Sequence, residues 1–313
     1  MSLIQPEEIE STRKPSRVWL PEILYMITSF CDTRTKERCA LVFYDHVHWS
    51  NDEKDTQLLY ASRHGDLQFV KRLLQRKANP AGKHHEPICR ASRFGHASVV
   101  ELLLRDTRVD PSVHGNAAVI GASSAGHAAV VEILLKDARV DPSVYDNVAI
   151  RSACEGGHIA VVECLLKDNR VDPSVYDNGA VRFASERGHI TVVERLLKDP
   201  RVKPSAIYNE AIRFASKNGH TFVVELLLRD ARVDPSASYN TPICWASKFG
   251  RIAVVELLLR DARVNPAACD NLALRLAKEN GHTAVVELLQ KDARVDPSSN
   301  DPGCPRQTRR SRI

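Results

Sequence analysis

No stretch of this 313-residue chain approaches the ~18 consecutive apolar residues needed to cross a bilayer. Its opening residues, MSLIQPEEIESTRKPSR, lack the apolar core of a secretory signal. A soluble intracellular protein, cytoplasmic or nuclear and without a membrane partner, is therefore expected. The cysteines, at positions 31, 39, 89, 154, 164, 244, 269 and 304, include no Cys-x-x-Cys pair and no dense framework, so reduced thiols are expected. Excess charge is also scarce: the formal balance is +5, and arginines in the last eight residues supply much of it. That is too little to predict a nucleic-acid partner, and the basic tail reads as a solvated end. Phosphate-cradling glycine loops, Gly-x-Ser-x-Gly elbows and paired acidic motifs are all missing. The expectation is a protein that is not an enzyme and needs no cofactor.

What the chain does have is periodicity. Gly95, Gly126, Gly157, Gly188, Gly219, Gly250 and Gly281 lie 31 residues apart without a slip, the mark of a repeat architecture. Around each glycine the text stays close to that of residues 148–178, VAIRSACEGGHIAVVECLLKDNRVDPSVYDN. With 43% hydrophobic and 27% charged residues, the composition suits a buried core. Small and apolar residues recur at helical spacing on both sides of the glycine, for example Ile150 with Ala153, then Val161, Val162, Leu165 and Leu166. Each copy is thus predicted to form two short antiparallel helices, with the glycine at positive φ between them. Asp172, Pro173 and Ser174 follow the second helix, and the proline directs an extended exit toward a turn around Asp177 and Asn178. The last copy carries Gln290 where earlier copies carry Leu135, Leu166, Leu197, Leu228 and Leu259, a polar closing face.

These features predict an all-α solenoid of helical hairpins with a small N-terminal helical unit. Residues 1–17 read as a disordered N-terminus and 18–49 as the helical unit. Residues 50–55 read as a linker and 56–85 as a degenerate first copy. Regular copies follow at 86–116, 117–147, 148–178, 179–209, 210–240, 241–271 and 272–301, and 302–313 is the basic tail.

The pattern Ala-Ser-x-x-Gly-His-x-x-Val-Val-x-x-Leu-Leu followed by an Asp-Pro turn resembles the ankyrin repeat. Two departures stand out. Only Thr241, Pro242 and Ile243 keep the opening Thr-Pro-Leu portion of that family's pattern, and the stretch before the first helix is shorter and lacks the usual glycine. Shortened or irregular fingers are the expected result. The resemblance implies a protein-binding scaffold.

Residues 18–49 follow a different logic. Leu20, Ile23, Leu24, Ile27 and Phe30 recur at three and four residues, giving a helix one apolar face that Pro21 can start; Leu41, Val42 and Trp49 come later. The segment resembles an F-box. That resemblance implies that Leu20, Pro21, Ile23, Leu24, Ile27, Phe30, Leu41, Val42 and Trp49 bind a Skp-type adaptor of a cullin ubiquitin ligase, leaving the repeats to hold an unknown target protein. The alternative is that these residues only cap the solenoid.

Within the repeats, scaffold residues recur from copy to copy while partner-facing ones need not. Aromatic and arginine side chains are common interface anchors. Arg182, Phe183, Glu186, Arg213, Phe214, Lys217, Trp245, Lys248 and Phe249 are therefore predicted to form a partner-binding patch on the concave face, with core packing between first helices as the alternative for the phenylalanines. The column His96, His127, His158, His189, His220 and His282 is unsuited to a shared metal. Equivalent residues of stacked helices stand ~10 Å apart, whereas zinc ligands lie ~2 Å from the ion. Loop-to-loop hydrogen bonding is predicted instead.

Overall fold

A helix of eight or nine residues is marginal alone in water, so copies that supply one such helix beside a slightly longer partner must stack to be stable. A computed structural model describes residues 50–295, and its regular elements are all helices. They are α1 (Asn51–His64), α2 (Leu67–Gln75), α3 (Gly82–Arg93), α4 (Ala97–Leu104), α5 (Val113–Ala125), α6 (Ala128–Leu135), α7 (Val144–Gly156), α8 (Ile159–Leu166), α9 (Val175–Arg187), α10 (Ile190–Leu197), α11 (Ala206–Asn218), α12 (Thr221–Arg229), α13 (Ala237–Lys248), α14 (Ile252–Leu259), α15 (Ala268–Glu279) and α16 (Thr283–Gln290). Each odd-numbered helix pairs with the even-numbered helix after it, and the pairs stack in chain order. Odd helices approach one another more closely than even ones do, because buried alanines such as Ala149 and Ala153 keep them slim. The all-α solenoid therefore curves with its odd helices on the concave side.

The core is a set of columns. Leu103, Leu134, Leu165, Leu196, Leu227 and Leu258 are fully buried at the same position of successive copies, beside the Val-Val pairs. Val109, Val140, Val171, Val202, Val233 and Val264, from the Arg-Val-x-Pro exits, add a further buried column. Gln290 is exposed, whereas its leucine equivalents are half-buried, as its polarity predicts.

Three hydrogen-bond ladders join neighbouring copies. The first is the histidine column: His189 Nε2 lies 2.9 Å from the Glu155 carbonyl oxygen and His158 Nε2 lies 3.1 Å from that of Ser124, with His96, His127, His220 and His282 placed alike. A carbonyl only accepts, so the imidazole donates from Nε2. Arg251 replaces a histidine and donates from Nε to the Lys217 carbonyl at 3.0 Å. In the second ladder, Arg170 grips Asp168 with two nitrogens and donates from Nη1 to the Val140 carbonyl of the preceding copy at 2.6 Å; Arg139, Arg201, Arg232, Arg263 and Arg294 repeat this.

The third ladder explains the unusual fingers. Tyr145, Asp146 and Asn147 have φ of 53, 54 and 54°, a left-handed turn that costs non-glycine residues ~1–2 kcal/mol each. It is held by Asn147 N–H donating to the Ser143 carbonyl at 2.9 Å. Asn147 itself is buried and its Oδ1 accepts from the Asp172 N–H of the next copy at 2.9 Å. Asn116, Asn178, Asn209 and Asn240 do the same, and His85 Nδ1 stands in at the start of the array. The fingers are thus compact left-handed turns.

Asp106, Asp137, Asp168, Asp199, Asp230, Asp261 and Asp292 each have a carboxyl held below the usual range, chiefly by the hydrogen bond from the arginine two residues on. The folded state therefore favours the ionised form. Its contribution is complete above the ordinary carboxylate pKa of ~4 and is lost as pH falls from there through the lower folded values. The urea midpoint of an Asp168→Asn, Asp199→Asn variant is expected to lie below that of the parent at pH 7, with the gap closing as pH falls below ~4.

The structure differs from the sequence reading at two points. Residues 50–55 are not a linker: α1 begins at Asn51 because Ser50 and Glu53 form a complete capping box. Cys89, Cys154, Cys164 and Cys244 are free thiols, but Cys269 is disulfide-bonded. Positions along the chain do not reveal which thiols a fold brings together. The F-box-like residues Leu20, Pro21, Ile23, Leu24, Ile27, Phe30, Leu41, Val42 and Trp49 lie outside the described residues.

Candidate protein-binding face

In α7, Ala149, Ile150, Ala153 and Cys154 face the core, whereas Val148, Arg151, Ser152, Glu155 and Gly156 do not. Helical periodicity dictates this division, and the 31-residue period repeats it except at Gly179 and Cys244, which are buried. The corresponding positions hold Gly179, Arg182, Phe183, Glu186 and Arg187; then Glu210, Arg213, Phe214, Lys217 and Asn218; then Thr241, Cys244, Trp245, Lys248 and Phe249. All nine residues predicted for the concave patch fall in these columns.

The structure gathers the patch into two groups. In the first, the Phe214 and Trp245 rings lie 5.6 Å apart, and the Arg213 guanidinium sits 4.9 Å from the Trp245 ring centre. The Lys217 ammonium is 5.6 Å from Phe214, 5.8 Å from Trp245 and 5.6 Å from Phe249. Lys248 lies 5.7 Å from Phe249. These are cation–π distances. The aromatic rings are neither core nor fully solvated: Phe214 and Trp245 are half-buried, and Phe249 is 38% exposed. In the second group, Arg182 forms an ion pair with Glu210 of the next copy, the two side chains only 13% and 15% exposed. Arg182 also lies 5.7 Å from the Phe183 ring, and Phe183 lies 6.3 Å from Tyr176. The Glu186 carbonyl accepts from His220 and Asn218.

Sequence reasoning missed Glu210 and Arg151. Glu210 stands 28 residues after its partner Arg182, a spacing with meaning only once the copies are stacked. Arg151 lies 4.1 Å from the Tyr176 ring of the following finger. Tyr145, Tyr176, Tyr208 and Tyr239 point outward from the fingers, each more than half exposed.

The face offers little chemistry. Burial pushes the Cys244 thiol up to about 12 and the Cys89 thiol to about 11, so neither is a thiolate nucleophile near neutral pH. Among the described residues no group of His, Cys, Asp and Glu could hold a metal ion, and no helix is long and apolar enough to cross a membrane.

Comparison with known proteins agrees with the geometry. The family described as ankyrin repeats, three copies, matches residues 58–146, 181–270 and 212–301, together more than half of the chain. Among solved structures, the human ASB11 ankyrin repeat domain is 20% identical, covering 59% of this chain and 95% of its own, with a TM-score of 0.48. An ankyrin repeat family protein from Legionella pneumophila is 19% identical, covering 81% of this chain and 83% of its own, with a TM-score of 0.39. No curated protein matches. The chain belongs to the ankyrin-repeat family, and its array is a protein–protein interaction module.

Proposed function

We propose that this chain is a substrate receptor: the concave face holds a target protein, and residues 18–49 join it to a Skp-type adaptor of a cullin ubiquitin ligase. The observation that carries the first half is the cluster of Phe214, Trp245 and Phe249 with Arg213, Lys217 and Lys248 on the concave side. Half-exposed aromatic and basic side chains of this kind anchor interfaces. The second half rests on the F-box-like spacing of Leu20, Pro21, Ile23, Leu24 and Ile27.

A second reading is a plain scaffold or tether whose first 49 residues only cap the array. It is favoured by the start of α1 at Asn51, directly after that segment. Co-purification of the intact chain with a Skp-type adaptor separates the two. Under the receptor reading the pair associates at micromolar concentration, and Leu20→Asp with Pro21→Ala weakens it by at least about tenfold without changing the unfolding of the repeats. No association by a folded array, or destabilisation of α1 and α2 as the main effect, leaves the tether.

A further inference from the structure

The inference concerns what the concave face selects, and it rests on the target-holding reading above. Arg182 has an acid of its own in Glu210, one copy further on. One copy later the same geometry repeats with Arg213, but the position equivalent to Glu210 holds Thr241, whose hydroxyl is committed to the Ser238 carbonyl. Arg213 makes one long hydrogen bond, from Nη1 to the Ile207 carbonyl at 3.4 Å, and its Nε is buried without a partner. Burial lowers its pKa, with Glu210 opposing. A desolvated guanidinium with an orphaned donor is costly.

Lys217 and Lys248 stand beside it against the aromatic rings, and neither has an ion-pair partner among the described residues. Three cations thus converge on Phe214, Trp245 and Phe249 with no ion-pair partner among the described residues, since Glu210, the acid near Arg213, is engaged by Arg182. Along the array the column reads Glu155, Glu186, Lys217, Lys248, Glu279, so the basic centre is flanked by acids. A continuous polyanion such as a nucleic-acid backbone would meet Glu186 and Glu279 with like charge. A polypeptide can place carboxylates at the centre alone.

We infer that this face selects an extended acidic segment of the target protein, with two carboxylates three residues apart and an apolar side chain between them. The spacing follows from geometry. An extended chain of the polyproline II type advances ~3.1 Å per residue with about three residues per turn, so side chains three apart share a face; neighbouring helices stand ~10 Å apart, so it meets a new helix about every third residue. One carboxylate reaches Arg213 and Lys217, the next reaches Lys248, and the apolar side chain packs on Trp245 and Phe249.

The test uses the full chain and labelled synthetic peptides in a glycine–serine background, one carrying Glu-Leu-Ser-Glu and the other Gln-Leu-Ser-Gln, with a ten-residue oligothymidylate as the polyanion control. Anisotropy should show the glutamate peptide binding at least about tenfold more tightly, weakening with salt. The preference should vanish in Lys217→Gln, Lys248→Gln, whose unfolding profile should match the parent. Absence of peptide binding, absence of a glutamate preference, a preference untouched by the two substitutions, or tighter binding of the oligothymidylate overturns the inference. A photocrosslinker at Phe183 keeps this separate from the broader reading: a target captured there equally well by parent and variant leaves target holding intact while removing the acidic requirement.

Discussion

Leu165→Ala is expected to lower the stability of the array by about 2–5 kcal/mol, the range for truncating a buried leucine. Leu165 is fully buried in α8, within the column that includes Leu134 and Leu196. The neighbours cannot collapse into the void, because each is fixed by its own copy's hairpin. In a linear array stability is approximately a sum of copy and interface terms, so the loss falls on copies centred on α7 to α10. Urea unfolding should lose its single transition and show an early phase, and hydrogen exchange should place that phase in α7 to α10. A uniform shift of one cooperative transition would show coupling well beyond nearest neighbours.

Gly157→Val is expected to cost about 3 kcal/mol or more, because two penalties fall on one residue. Gly157 has φ 75°, a conformation costing an ordinary L-residue ~1–2 kcal/mol and a β-branched residue more. A Cβ there would also stand 2.5 Å from His189 Nδ1, so the imidazole must leave the Glu155 carbonyl that it serves, at ~1 kcal/mol or more for the lost bond. Gly281 is the control: its φ is 72°, yet nothing lies within 4 Å of a Cβ there. Gly281→Val carries the backbone penalty alone. The difference between the two variants' denaturation midpoints measures the imidazole's share, and equal losses would remove it.

The glycine period, the hairpins, the bridging role of the histidines and the exposed Gln290 were legible in the sequence because each follows from spacing within a copy or from the same position compared across copies. The Asn147–Asp172 and Arg170–Val140 bonds were not, although Asn and Asp-x-Arg recur in nearly every copy. Recurrence says that a residue serves the scaffold, but not whether it reaches forward or backward to another copy. The left-handed turn at Tyr145, Asp146 and Asn147 was hidden for a different reason: no glycine marks it, since hydrogen bonds to Ser143 and to the next copy stabilise a conformation that local preference opposes. In the binding face, the columns could be read from periodicity, but the Arg182–Glu210 pair and the orphaned Nε of Arg213 depend on which copies touch.

Each ladder ends on main-chain atoms. His189 reads the carbonyl of residue 155 whatever side chain that residue carries, and the same position presents serine to His158 and lysine to Arg251. The joints are therefore indifferent to the concave-face side chain borne by the residue they grip. A whole unit can be inserted, excised or exchanged in register with its connections intact, and a new combination of surface residues comes with it. Such an array can change its clientele by shuffling interchangeable parts, without redesigning how they fit together.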